Sequence, residues 1–278
     1  MSVILSKHRG MPAQDGAGVK LTRIINQPGL KHQDPFLMLD EFRSDDPNDY
    51  IAGFPPHPHR GFCTLTYMLA GTMEHKDSVG NTGAVEAGGV QWMKAAKGII
   101  HAEMPKQVEG LMWGFQLWVN LPADEKMSEP DWHDHPASTI PEVEVEGALV
   151  RIISGQYEQQ EGPVKAPGRE FLMLDIHLGN EALNLPSQGQ KRRLAYVYQG
   201  NLTVNGEPVE EGELALLDPA ETLSLSADEN ARLIVLAAKP IEEPIAQYGP
   251  FVMNTSDQIE QAIKDYQSGN LAANQKLS

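Results

Sequence analysis

Two short runs in this chain place histidines and a carboxylate at spacings that suit a metal ion: His57-Pro58-His59 and His101-Ala102-Glu103. In an extended backbone, residues i and i+2 project from the same face. His57 and His59 can therefore reach one ion together, and so can His101 and Glu103. Pro58 favours the extended form and disfavours a helix at this point. Lys97-Gly98 supplies a turn that can bring the second run back towards the first. Three imidazole nitrogens and one carboxylate oxygen suit a first-row divalent metal with open coordination positions. Either run alone carries little weight, because paired histidines on a surface are common.

Other residues of the same types read differently. His75 lies in the polar stretch Glu74–Ser78 and reads as a solvated turn residue. His133 and His135 repeat the His-x-His spacing among Asp131, Asp134 and Pro136, and read as part of an acidic linker. Cys63 beside a strand start reads as a small buried residue. Gln116 and Trp118 flank Leu117 and share a strand face, with core packing or the lining of a metal cavity as the two readings of Trp118. Met93, Met104 and Met112 read as packing residues.

The elements that must position these residues are strands. Apolar, β-rich runs of strand length occur at Val19–Ile25, Thr64–Leu69, Gln116–Leu121, Leu149–Ile153, Phe171–Leu178, Leu194–Tyr198 and Arg232–Ala237. Turn signals separate them, among them Gly80-Asn81, Gly88-Gly89, Gly200-Asn201 and Asn205-Gly206. One segment, Ser256–Gln267, is helical in pattern, with Ser256 as its expected cap and Ile259, Ile263 and Tyr266 near one face.

A repeat is visible between the halves. LTYMLAG (65–71) followed by EAGGVQWMKAAKG (86–98) is matched by LAYVYQG (194–200) followed by LTVNGEPVEEGELALLDPA (202–220). Both read as strand, glycine turn, strand, acidic-glycine turn, strand. The expected fold is all-β: two antiparallel β-barrels with a short C-terminal helix. The expected domains are 1–132, which carries the metal, and 133–278, which lacks ligands and includes helix 256–267. The crossing point is expected in the Pro- and Asp-rich stretch 129–142.

The bulk numbers agree with two domains: 278 residues is long for one and suits two. The charge is 22 − 38 = −16, with no basic stripe, which argues against direct contact with nucleic acid or an anionic membrane. Cys63 is the single cysteine, so no intrachain disulfide can form, as suits a reducing compartment. The opening MSVILSKHRG has no apolar run, and no stretch approaches the ~20 apolar residues of a membrane span. The expectation is a cytoplasmic protein.

Longer segments then give a specific resemblance. Gly98-Ile99-Ile100-His101 after a His-x-His pair resembles the two metal motifs of cupin barrels. DPFLMLDEF (34–42), HPHRGF (57–62), GIIHAEMP (98–105), LWVNLP (117–122) and YGPFVMNT (248–255) look like segments of the pirin family. That resemblance implies a bicupin whose first barrel binds iron(II) through His57, His59, His101 and Glu103, and whose second barrel has lost its ligands. The sequence fits, since His177 is the one histidine after His135 and Leu202-Thr203-Val204 stands where a His-x-His would. Cys63 departs from a glutamate common in the family, which bears on the surroundings of the site rather than on its ligands. Manganese, cobalt, nickel, copper and zinc are alternative occupants.

Two functions follow from the resemblance. The first is quercetin 2,3-dioxygenase activity on a flavonol-like substrate and O2, with Glu103 as ligand and catalytic base and with ring cleavage releasing carbon monoxide. The second is a metal- or redox-responsive regulator that acts through a protein partner, as animal pirins are described. Turnover separates them, because a sensor binds metal without consuming oxygen. A closed structural site fits poorly, since such sites are usually cysteine-rich.

Overall fold

A computed structural model describes residues 2–107, 109–165, 170–187, 189, 191–227 and 230–272. All seven segments expected as strands are strands, and the helix spans Ser256–Gln267. Its N-cap is Thr255 rather than Ser256. The Thr255 side chain accepts from the Gln258 amide, while the Gln258 side chain reaches back to the Thr255 amide. The β-region backbone at Thr255 makes it the flanking residue, which leaves Ser256 as the first helical position.

The chain forms two compact units. One comprises 12–26, 34–137 and 241–278; the other comprises 1–11, 27–33 and 138–240. One boundary between the units lies between Ala137 and Ser138. Each unit also takes in segments from elsewhere in the chain.

The first unit has a seven-stranded antiparallel sheet in the order Asp131–His135, Val90–Lys94, Phe62–Ala70, Met112–Asn120, Phe36–Ser44, Val19–Ile25 and Met11–Asp15. A second sheet runs Phe54–His59, Ile99–Pro105, Thr72–Asp77 and Thr82–Glu86. His133 and His135 therefore lie on an edge strand paired with Val90–Lys94, not in a linker. Their alternation with Trp132 and Asp134 is the period of a strand.

The other unit repeats the plan. Its seven-stranded sheet runs Ile4–Arg9, Glu213–Leu217, Arg192–Gln199, Ala231–Ala238, Phe171–Leu178, Ala148–Ser154 and Glu142–Val145. Its four-stranded sheet runs Leu183–Leu185, Leu223–Ser226, Leu202–Val204 and Glu207–Val209. The repeated motifs fall at equivalent places: LTYMLAG and LAYVYQG each occupy the third strand of a seven-stranded sheet. Each unit thus has one seven-stranded and one four-stranded antiparallel sheet, which do not join into a single closed barrel. No helix among the described residues is long and apolar enough to cross a membrane.

By its place in the four-stranded sheet, Leu183–Leu185 is the strand that matches the one bearing His57 and His59, and Leu223–Ser226 matches the one bearing His101; Leu183 opposes Leu225 as His57 opposes His101, and Leu185 opposes Leu223. Leu202-Thr203-Val204, expected at the His-x-His place, lies instead where Thr72–Asp77 lies in the first unit. Leu183, Leu185, Leu223 and Leu225 are all buried in one apolar core with Val150, Ile152, Leu174 and Val197. Burial of a leucine side chain contributes roughly 1.5–3 kcal/mol. A hydrophobic filling thus stands where ligands would.

The C-terminal segment is latched to the strand that bears His57 and His59. Val252 donates its amide to the Arg60 carbonyl at 3.0 Å, and Arg60 Nη1 donates to Asp265 Oδ2 on the helix at 2.7 Å. Lys126 is buried, and its ammonium donates to the Gly61 and Val252 carbonyls and to Asn120 Oδ1 at 2.7, 3.0 and 2.6 Å. Burial pushes this lysine down to about 8. Gly61 has φ +92, and a Cβ there would lie 1.9 Å from the Val252 carbonyl oxygen. Only glycine lets the two backbones approach this closely.

Candidate metal centre

The antiparallel pairing of Ile99–Pro105 with Phe54–His59 puts His101 opposite His57 and Ile99 opposite His59. The ladder is irregular between His101 and Glu103, so Glu103 falls opposite Phe54. The three imidazoles converge. Ring centroids are 4.7 Å apart for His57 and His59, 4.4 Å for His57 and His101, and 4.9 Å for His59 and His101. Each offers one nitrogen within 4.8 Å of the others, and they are the one such group of three or more among the described residues.

The hydrogen bonds assign a nitrogen on His57. Its Nδ1 lies 2.8 Å from the Pro55 carbonyl oxygen. A carbonyl only accepts, so Nδ1 carries the proton and Nε2 keeps its lone pair. His59 and His101 are buried to 2% and 1% exposure. Neither ring nitrogen of His59, nor Nε2 of His101, makes a hydrogen bond of good geometry, although the Pro250 backbone lies beside the His59 ring. Buried polar atoms normally find partners, so this cluster of bare nitrogens fits a bound cation. Burial, reinforced by the neighbouring histidines, holds both side chains well below the usual imidazole range. They are neutral and have a lone pair to donate.

Glu103 stands beside this group rather than in it. Its Oε2 accepts from Gln116 Nε2 at 2.9 Å. Its Oε1 lies 2.9 Å from Thr66 Oγ1, which is also 2.6 Å from Gln116 Oε1. Thr66 has a single hydroxyl proton and can serve one of these two acceptors at a time. Glu103 is 1% exposed, so these contacts replace solvent.

A cavity of about 630 Å³ leads to the histidines. His57, His59, Gln116 and Trp118 line it together with the apolar Met38, Phe42 and Phe54. Both readings of Trp118 hold: its ring packs on Phe62 at 4.3 Å and meets His59 edge-on at 5.3 Å, while the residue also lines the cavity. Its indole Nε1 is buried without a partner. Arg23 and Asp40 supply the polar wall, joined by two hydrogen bonds of 3.0 and 2.7 Å. Burial pushes Asp40 up to about 6 against the pull of that arginine.

His75 is not the solvated residue its polar neighbours suggest. It is 2% exposed and packs against Trp132 at 5.3 Å, with its Nδ1 3.4 Å from His101 Nδ1. The run Thr72–Asp77 alternates intermediate or exposed with buried, which puts His75 and Asp77 on the inner face. That alternation is the signal the sequence offered, masked by Glu74 and Lys76 on the outer face. Cys63 is buried as expected, and burial pushes its thiol far above the usual range. Met93 and Met112 are buried, whereas Met104 is exposed on the strand face opposite Glu103.

Fold and site together define a bicupin protein with one three-histidine cluster able to hold a metal ion. Residues 18–119 match the family model for Pirin, and residues 173–272 match that for the Pirin C-terminal cupin domain. A Pseudomonas aeruginosa protein provisionally named quercetin 2,3-dioxygenase is 52% identical over 97% of this chain and 98% of its own. A pirin-like protein of Caulobacter vibrioides is 43% identical over 96% and 98%. The crystal structure of quercetin 2,3-dioxygenase from Acinetobacter baumannii is similar with a TM-score of 0.90 and 31% identity, over 97% of this chain and 98% of that one. This chain belongs to the pirin family.

Proposed function

We propose that this protein is a metal-dependent oxygenase of the quercetin 2,3-dioxygenase type, with one iron(II) held by His57, His59, His101 and Glu103. The observation that carries this reading is the convergence of His57, His59 and His101 nitrogens within 4.8 Å of one another beside a cavity of about 630 Å³ that His57 and His59 line. The names of the Pseudomonas and Acinetobacter proteins support the enzymatic reading over the regulatory one. When bound, the metal supplies a Lewis acid for an enol oxygen of the substrate and a redox centre for O2.

The chain's own residues do the rest. Phe42, Phe54 and Trp118 offer aromatic walls to a flat flavonol-like substrate. Glu103 accepts the enol proton. Oε1 is the better placed atom, because Oε2 is held by Gln116, whereas the Thr66 proton can move to Gln116 and leave Oε1 free. To enter the ligand set, Glu103 exchanges these contacts for the metal.

The test is elemental analysis of protein purified without added metal, followed by oxygen uptake with quercetin and related flavonols. Metal-dependent uptake is the expected result. No uptake by fully metallated protein across several flavonols would overturn the enzymatic reading.

A further inference from the structure

His75 and Asp77 form a buried polar pair behind His101, on the neighbouring strand. The register sets His101 opposite Asp77 and Glu103 opposite His75. His75 Nε2 lies 3.3 Å from Asp77 Oδ2, and His75 Nδ1 lies 3.4 Å from His101 Nδ1. Asp77 and His101 are 4% and 1% exposed. Shielded from bulk solvent, the three side chains rely on protein partners, and at His75 those are Asp77 and His101.

That requirement fixes where the protons sit. The Asp77 carboxylate only accepts, so the facing His75 Nε2 carries hydrogen. A neutral imidazole has one N–H, so His75 Nδ1 is a bare acceptor. Two bare nitrogens facing each other across 3.4 Å would repel and leave both unpaired. His101 Nδ1 therefore carries hydrogen and donates to His75. The consequence reaches the far side of the ring: His101 Nε2 has no hydrogen, and it is one of the buried atoms without a partner in the histidine cluster.

We propose that Asp77 and His75 are positioning residues that select the metal-binding tautomer of His101. Ligating histidines commonly use their other N–H in this way, directly against a carboxylate or carbonyl. Here a second histidine is interposed, and the orienting carboxylate acts one ring further away. The relay is held on both sides. Trp132 stacks on the His75 ring at 22° and 5.3 Å. Asp77 Oδ1 accepts the backbone amides of Val79, Gly80 and Asn81 at 2.9, 3.0 and 2.9 Å, and Oδ2 accepts from Asn81 Nδ2 at 2.8 Å. Those three amides leave Oδ2 as the atom that faces His75.

The same turn makes Asp77→Asn a directed probe. Three N–H donors demand an oxygen at the Oδ1 place, so the new amide nitrogen takes the Oδ2 place and points its hydrogens at His75. His75 Nε2 must then accept, its Nδ1 must donate, and His101 is driven to the Nε2–H tautomer that cannot ligate. The probe preserves shape and the three backbone hydrogen bonds to the Oδ1 place; it gives up the bond from Asn81 Nδ2 to Oδ2 and changes which atom carries a proton.

The proposal rests on the metal reading for its consequence but not for its first readout. Two-bond ¹H–¹⁵N correlation spectra of metal-free protein report imidazole tautomers directly. The expected result is Nε2–H on His75 and Nδ1–H on His101 in the parent, with both exchanged in Asp77→Asn. The second readout is cobalt(II) affinity by chelator competition, expected to fall about 10–100-fold in Asp77→Asn. His75→Phe, which removes the acceptor while keeping a ring against Trp132, is expected to lose affinity as well and serves if Asp77→Asn does not fold. Nδ1–H on His75 in the parent, or parental cobalt affinity in both folded variants, would overturn the proposal. A parent that binds no cobalt(II) would instead overturn the metal reading, and the tautomers would still decide the relay.

Discussion

His101 and His57 are directly opposed across two antiparallel strands, with ring centroids 4.4 Å apart. Two motifs separated by more than forty residues are thereby joined into one cluster by strand register. A slip of one residue would turn His101 to the other face of its sheet.

The ligand set is tested by substitution of its two unlike members. His101→Ala is expected to abolish tight metal binding, because it removes a buried nitrogen from the convergent group. Glu103→Gln is expected to weaken binding less, since an amide oxygen can still coordinate without the charge. Metal per chain after dialysis measures both, with one equivalent expected in the parent. Parental affinity in His101→Ala would refute the assignment, and a second tight equivalent surviving loss of His57 and His59 would contradict the leucine-filled character of the other barrel.

Turnover separates ligand from base at Glu103. Oxygen uptake with quercetin, normalised to bound iron, is expected to fall about 10²–10⁴-fold in Glu103→Gln, the usual size of a lost general base. The amide cannot accept a proton near neutral pH. Equal rates per iron in parent and variant would remove Glu103 from proton transfer.

Cys63→Ser is expected to keep one metal per chain and most of the turnover. The thiol is buried in the Phe62–Ala70 strand, outside the convergent group, and its raised pKa keeps it protonated. The cost should appear in stability, about 1–3 kcal/mol for a buried hydroxyl that lacks a partner. Stoichiometric metal loss would instead make the thiol a ligand.

Arg23→Met is expected to destabilise the protein by about 3–5 kcal/mol at neutral pH, because it leaves the buried Asp40 carboxylate without its partner. The deficit should shrink on acidification. Burial already holds the Asp40 pKa up at about 6, above its unfolded value, and loss of the arginine raises it further. A carboxyl raised on folding is penalised above its native pKa, and the penalty disappears as pH falls towards the unfolded value near ~3.9. Denaturant titrations between pH 7.5 and about 4.5 measure this, and a deficit that grows on acidification would contradict it.

The sequence alone determined what depends on neighbours along the chain. Same-face pairs such as His57 and His59 follow from the two-residue period of a strand, and the helix over Ser256–Gln267 follows from its periodicity. The repeated strand-and-turn pattern pointed to two copies of one β unit, and with His177 the one histidine after His135 the second copy had no His-x-His pair to offer. Tertiary structure decided what depends on partners distant in sequence. The polar stretch around His75 reads as a turn until the strand Thr72–Asp77 is sandwiched between Ile99–Pro105 and Thr82–Glu86, which sends alternate residues inward. The carboxylate of Glu103 reads as a ligand by spacing, yet Thr66 and Gln116 from two other strands hold its oxygens. The exchanged terminal segments have the same origin. Ile4–Arg9 finds an open edge beside Glu213–Leu217, and the run from Pro250 to Val252 finds the backbone of Arg60. Side-chain alternation is a local property of the backbone. Which edge is free to accept a strand, and which buried donor meets which acceptor, is settled only when all the strands are assembled.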